Sequence, residues 1–490
     1  MLDQLKKLVG HSAVYGFGVM SLKISPLILT PLFLHRFSRS QYGTMEVLNT
    51  FSANLQVVMM LGIGSVLIKV YMNDCRDQRE KRELMSSVLG FAVALGIALV
   101  IVSYFARGFL ASLLISSSTQ GILVLLTAVS CAFIFVDRLA VLAIRAKQWP
   151  GWYLVINFAH VIAVVGLNLY LVGYLRWGVY GTQLAAVLVA AFTVAMGLIL
   201  IRSDLGLQFS WPRLRYVLTL SLPLIPVSLA PWVLNSSDRY FLTAMHGLDA
   251  TGIYGVGYKF GQMTTTMIVQ AFQLAWSPLF FANANTPTGP QFCASVLKYY
   301  LTCLIAMALA VSVFAPELLR VMGKQQFWSA AAYVPWIALA YVLYGLHFFT
   351  VPLFIQANRG AALSVLMIVI AGLNLALNFV LIKYYATDGA VAATVICFAL
   401  LAVYSVVYAN RAYAVPYPVA DILKAAAVSL AIFFVYRTFL AHSWSTLLLK
   451  STSAALFPVA LYAAGYFNDK EKSILRRIPG KVAGIIRSSR

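Results

Sequence analysis

Four basic side chains fall inside stretches that are otherwise hydrocarbon: Lys23 in SLKISPLIL, Arg138 after FIFVD, Arg239 in LNSSDRYFL and Lys259 in GVGYKFG. A charge at the centre of a membrane span costs roughly 2.5–3.5 kcal/mol on insertion scales, so one that persists usually has a task. Lys23 and Lys259 have no acidic neighbour within a helical turn. Asp137 and Arg138 are adjacent, about 100° apart on a helix, and need not pair with each other. Asp238 stands beside Arg239, and Glu46 lies just inside its own apolar stretch. Cations outnumber carboxylates in this set. Such a cavity invites an anion, and a diphosphate would satisfy several cations at once. An exporter of cationic drugs would need the opposite excess. Lys23, Arg239, Lys259 and Arg138 are therefore the candidate substrate contacts, with Glu46, Asp137 and Asp238 in supporting or ion-coupling roles. His160 and His347 also lie within apolar stretches, where a hydrogen bond to a neighbouring helix accounts for them.

The elements that carry these residues follow from composition. The chain has 490 residues, 61% hydrophobic and only 10% charged, with mean hydropathy +0.84. A soluble domain would hold roughly 25% charged residues. Apolar runs of about 17–25 residues, long enough to cross the bilayer core, number about fourteen. They lie near 12–34, 45–72, 86–106, 120–144, 151–174, 178–201, 216–236, 251–283, 295–316, 330–355, 361–383, 388–410, 420–441 and 445–467. Outer-membrane strands would be about 10 residues of alternating polarity, so the expected class is an all-α integral membrane protein. With the N-terminus in the cytoplasm, basic residues on the inside outnumber those outside roughly two to one, which places both termini inside. Much of the net charge of +21 then serves topology and anionic lipid rather than nucleic acid. The tail 468–490 mixes basic and apolar residues and is expected along the inner leaflet.

An internal repeat organises the spans. GLNL occurs at 166–169 and 372–375, and downstream Gly181 falls against Gly389. RAKQ (145–148) matches QANR (356–359), and SQYG (40–43) matches GIYG (252–255). Prolines punctuate the first span (Pro26, Pro31) and the seventh (Pro223, Pro226, Pro231). Six helices separate the copies, an even number, which makes a parallel repeat with a cavity on its pseudo-twofold axis. The expected units are an N-lobe over 1–210, a C-lobe over 211–415, two extra helices over 416–467 and the tail. Through RAKQ and QANR, Asp137 and Arg138 fall against Phe348 and Phe349, so their role is asymmetric.

Five cysteines without C-x-x-C spacing support neither a disulfide framework nor a metal site, and no cofactor is expected. The glycine strings lack the strand-turn-helix setting of a phosphate loop and suit close helix packing. No ATP-binding motif is present. Outside loops of about 5–15 residues without paired carboxylates argue against a membrane polymerase or ligase.

These features resemble the polysaccharide flippase or O-antigen translocase family, within the superfamily of multidrug, oligosaccharidyl-lipid and polysaccharide exporters. The resemblance rests on RFSRSQYGTMEVL (36–48), SSDRYFLTAMHGLDATGIYGVGYKFGQ (236–262) and the two GLNL segments, and covers roughly residues 1–415. It implies a non-enzymatic flippase, working as a monomer in the bacterial inner membrane on an undecaprenyl-diphosphate-linked glycan. Polysaccharide polymerase and assembly proteins are the implied protein partners. It also implies a cationic cavity at Lys23, Arg239 and Lys259. Lipid II flippase relatives use mostly arginine there, so lysine at 23 and 259 is a departure. An ion-coupled multidrug antiporter is the alternative within the same fold.

Overall fold

A computed structural model describes residues 18, 21–22, 25–206, 208–439, 456–469 and 471–472. Lys23, Lys6, Lys7 and the tail beyond residue 472 lie outside them. The described residues are helical throughout, with no strand. The helices are α1 (25–36), α2 (Arg39–Met60), α3 (Ile63–Lys69), α4 (Gln78–Ile115), α5 (Gly121–Ala146), α6 (Pro150–Asn168), α7 (Gly178–Leu200) and α8 (Trp211–Ser221). They continue with α9 (Ile225–Ser236), α10 (Asp238–Thr264), α11 (Gln270–Asn283), α12 (Gly289–Met322), α13 (Val334–Gln356), α14 (Gly360–Ala412), α15 (Val419–Phe439) and α16 (456–463).

Among the described residues, eight helices are long and apolar enough to cross a membrane. Other apolar passages are broken into shorter pieces. The broken passages show why span limits read from hydropathy shift. Helical geometry runs from α9 through Ser237 (φ −66°, ψ −29°) into α10, and the break falls at Gly247 (φ 82°, ψ 176°). The seventh passage therefore reaches His246 and does not stop at 236. Asp238 and Arg239 lie about two turns inside it, roughly 10 Å from its end at 1.5 Å per residue. The polar run Asn235 to Asp238 looks like a loop to a hydropathy window, yet it is helix. Conversely α14 is two helices joined at Ala386 (φ 48°, ψ −124°). Pro223 lies in a 3-10 turn, Leu222–Leu224, that separates α8 from α9, as expected of a ring that cannot donate and clashes with the preceding turn.

Packing is uneven along the helix axes. At one end, one apolar cluster unites both halves of the chain: Leu34, Tyr42 and Leu48 meet Val256, Phe260, Leu319, Phe327 and Val334. At the other end the clusters are separate. Leu67, Leu84, Leu139 and Ile144 form one, and Trp276, Leu297, Phe349 and Leu353 another. Leu214 and Val217 of α8 join the first-half cluster, so α8 packs against the N-lobe although the sequence division puts it in the C-lobe.

The shared end is held by a glycine crossing of α2 and α10. Ser38 caps α2 through a reciprocal box: its hydroxyl accepts from Gln41 N (3.1 Å) and its N–H donates to Gln41 Oε1 (3.0 Å). This fixes where Gly43 meets α10. A Cβ on Gly43 would lie 2.0 Å from the Leu248 carbonyl oxygen, and one on Gly252 would lie 2.2 Å from the Arg39 carbonyl oxygen. Arg39 Nε also donates to Gln326 O (2.7 Å), and Gln326 Nε2 donates to Phe37 O (2.8 Å). The segment after α12 thus straps the start of α2.

The opposite end of the first half is tied by ions. Asp204 accepts from Tyr71 (2.7 Å) and Gln78 (2.6 Å) and pairs with Lys147 (2.9 Å). Arg213 of α8 pairs with Glu80 (2.9 Å) and Glu83 (3.2 Å) of α4. Burial alone would raise the Asp204 carboxyl, but hydrogen bonds from Tyr71 and Lys147, the Lys147 charge and Gln78 hold it below the ordinary carboxylate value.

Two outcomes follow. Gly43→Ala should lower Tm in detergent, since overpacking costs about 1–3 kcal/mol, whereas Gly151→Ala, with nothing within 4 Å of its Cβ, should not; equal Tm changes would remove the crossing from the account. A depressed folded carboxyl contributes stability that is full above its unfolded pKa of about 3.9 and is lost as pH falls through the folded value. Thermal melts of the wild type should therefore fall more steeply than those of Asp204→Asn as pH drops from about 5 to 3, and parallel curves would contradict the assignment.

Candidate functional site

Asp238 and Arg239 are 3% and 6% exposed. Arg239 Nη1 donates to Asp238 Oδ1 (2.7 Å) and to the Asn235 carbonyl (2.6 Å), and its guanidinium lies 3.9 Å above the Tyr258 ring. The other carboxylate oxygen of Asp238 accepts a short hydrogen bond from Tyr254. The Tyr341 hydroxyl of α13 lies 2.7 Å from the Tyr258 hydroxyl and 3.0 Å from Asn235 Oδ1, its one proton shared between them, and accepts from Gln262 Nε2 (2.8 Å). The pair is neither a headgroup contact at the membrane edge nor a divided pair with Arg239 turned to a cavity. It is the centre of a closed polar network joining α9, α10 and α13. A buried ion pair survives desolvation only when its remaining donors and acceptors are met, and here tyrosines meet them.

Lys259 lies one turn beyond Gly255 on α10. It is half-buried, its ammonium 6.0 Å from the Tyr42 ring of α2, and no ion pair within 4.0 Å engages it among the described residues. Glu46 packs over Gly255, where an added Cβ would meet its Cγ at 2.7 Å. Its charge acts on both Lys259 and Arg239. The glycine crossing thus brings four of the residues singled out by sequence, Glu46, Asp238, Arg239 and Lys259, into one electrostatic group.

Asp137 and Arg138 belong to a different place. They line a cavity of about 630 Å³ enclosed by first-half helices, together with Gln56, Asn157, His160 and Gln183. Arg138 Nη2 donates to Gln56 Oε1 at 2.6 Å. No hydrogen bond or ion pair joins Asp137 to Arg138 among the described residues, in keeping with the expectation that they need not pair. His347, by contrast, bonds Ser405 across α13 and α14 at 2.8 Å, the interhelical role expected of it. No group of three or more His, Cys, Asp or Glu side chains that could hold a metal occurs among the described residues.

Sequence reasoning passed over Asn235, Tyr254, Tyr258, Gln262 and Tyr341. A signal was available. Tyr254 and Tyr258 are spaced i,i+4, which stacks them on one helix face.

Fold and site together define a multi-pass helical membrane protein with its halves joined at one end and charged groups where they meet. A profile described as polysaccharide biosynthesis protein matches residues 9–284. The chain belongs to that family. A search of curated proteins gave no match. Among solved structures, the fold is similar to that of the lipid II flippase MurJ in an inward closed conformation (TM-score 0.75, 16% identity, 93% of this chain and 99% of that one). It is similar also to an inward-facing multidrug resistance MATE family transporter of the MOP superfamily (TM-score 0.64, 13% identity, 80% and 97%). A mutant of the Vibrio cholerae MATE transporter VcmN matches as well (TM-score 0.56, 13% identity, 83% and 96%). At these identities the likeness shows the shared fold.

The tyrosine network gives a direct stability test. Arg239→Met leaves Asp238 buried and unpaired, and breaking a buried pair this way costs on the order of 3–5 kcal/mol. Adding Asp238→Asn should recover part of the lost Tm, because no charge is then stranded. A single variant as stable as the double would show that the pair does not hold the helices.

Proposed function

We propose that the protein is a flippase that carries an undecaprenyl-diphosphate-linked oligosaccharide, an O-antigen, capsule or exopolysaccharide repeat unit, across the bacterial inner membrane by alternating access. The observation that carries the reading is Lys259, a half-buried ammonium at the crossing of the two halves that no ion pair engages among the described residues. A lysine left unpaired at such a depth needs a partner that arrives from outside the protein. A diphosphate supplies two charges and several acceptor oxygens. Lys23 on the first span would be the matching cation from the other half. Arg239 and Asp238 hold the helix that presents Lys259, and Glu46 supports Lys259 until substrate replaces it.

Family membership and the MurJ-like fold support the substrate class. The excess of basic residues in the loops supports cytoplasmic termini, which puts the glycine crossing and the Arg39–Gln326 strap at the outer face. The structure then corresponds to a state closed outward. Substrate enters from the cytoplasmic side, its diphosphate meets the lysines, the sugars occupy the polar interior and the polyprenyl tail stays in lipid. Parting of α2 from α10 opens the outer end. Energy comes from an ion gradient or the membrane potential, worth about 2.3 kcal/mol per charge per 100 mV, or from consumption of the product.

One observation favours a second reading, an ion-coupled multidrug antiporter: Asp137 places a carboxylate in the first-half cavity. The two readings separate by phenotype. Lys259→Ala and Lys23→Ala should each abolish surface polysaccharide in the producing cell at unchanged protein abundance, while drug resistance stays as it was. Normal polysaccharide in both mutants would sink the flippase reading.

A further inference from the structure

We propose that the cavity inside the first half, whose lining does not include Lys259, is a sugar-binding subsite, a proposal that rests on the flippase reading. Among apolar residues such as Met60, Ile134 and Leu142, its wall carries hydrogen-bonding side chains from four helices: Asn49, Ser52 and Gln56 of α2, Asp137 and Arg138 of α5, Asn157 of α6 and Gln183 of α7. Tyr153 adds an aromatic ring. Amides, a carboxylate and a guanidinium present paired donors and acceptors in a plane, the arrangement that vicinal hydroxyls match, and an aromatic ring packs on the C–H face of a pyranose. A bare phosphate would find no use for the acceptor Asp137.

The wall is held ready. Gln56 Nε2 donates to Ser52 (2.9 Å) while its Oε1 accepts from Arg138, and Gln183 Oε1 accepts from Thr127 (2.9 Å). One group is left over. Among the described residues no hydrogen-bond partner meets Asp137 Oδ1, buried at the cavity wall, a costly arrangement unless a ligand or water hydroxyl donates to it.

At the equivalent position of the second half the described residues are packed aromatics. There Phe349 is fully buried and stacks on Trp276 at 4.7 Å, and Phe348 lies edge-on to Tyr344 at 4.7 Å. Sugar recognition is therefore one-sided: the first half holds the glycan, and the crossing between halves holds the diphosphate.

The test uses full-length protein in nanodiscs and two probes: undecaprenyl diphosphate, and the soluble oligosaccharide repeat unit freed by mild acid from the producing cell's own polysaccharide. Asn49→Ala removes an exposed wall amide, and Ala186→Phe fills the cavity without removing a polar group. Both should weaken oligosaccharide binding at least tenfold and leave undecaprenyl diphosphate binding within twofold. Unchanged oligosaccharide affinity in both variants, or no oligosaccharide binding by the wild type, overturns the subsite. Parallel loss of both probes overturns it too, because the cavity would then hold the diphosphate. A wild type that binds oligosaccharide but not undecaprenyl diphosphate sinks the flippase reading and leaves the sugar site standing.

Discussion

The close approach of α2 and α10 at Gly43 and Gly252 is the contact on which the rest of the arrangement depends. Neither residue has a Cβ, and any Cβ would fall about 2 Å from the facing carbonyl oxygen. In a bilayer, lipid tails are as apolar as leucine, so helices associate through tight packing and small residues at the contact. Everything charged at the centre follows from that approach. Glu46 lies over Gly255, Tyr42 comes beneath Lys259, and the Arg39 side chain reaches the Gln326 carbonyl.

That closure also explains why the two ends of the molecule are held by different chemistry. Where the halves share one apolar cluster, the contacts are van der Waals contacts and hydrogen bonds to backbone carbonyls. At the other end, ions tie helices within the first half only: Asp204 with Lys147, and Arg213 with Glu80 and Glu83. The second half has its own tie, in which Lys298 of α12 reaches Asp421 of α15 (3.3 Å) and Glu471 (3.1 Å). Stiff bodies with a separable contact are what alternating access requires, because interfaces between packed bodies switch between states and do not deform continuously.

Two polar places serve different ends. The network around Asp238 and Arg239 has its ions matched and its tyrosines engaged, so it stiffens α10. The first-half cavity keeps an unmatched carboxylate oxygen and room beside it. Lys259 shares its helix with the stiff network, and among the described residues no ion pair engages its ammonium.

Much of this was legible in the chain. Composition and run length fixed an all-helical membrane protein, because only apolar segments of that length satisfy their backbone inside lipid. The cost of intramembrane charge singled out Glu46, Asp137, Asp238 and Lys259 without any structure. The Tyr-Gly repeat was visible too, though a repeat says that two segments are equivalent and not that they touch. The fate of Arg239 could not be read, since the polar run before it looks like a span end and only burial by Tyr254, Tyr258 and Tyr341 keeps it helical. Sequence alone determined the solvent, the helices and which residues must have a reason to be there. Tertiary structure decided which of those charges satisfy one another and which stay unmatched, because pairing depends on distances between helices that lie hundreds of residues apart in the chain.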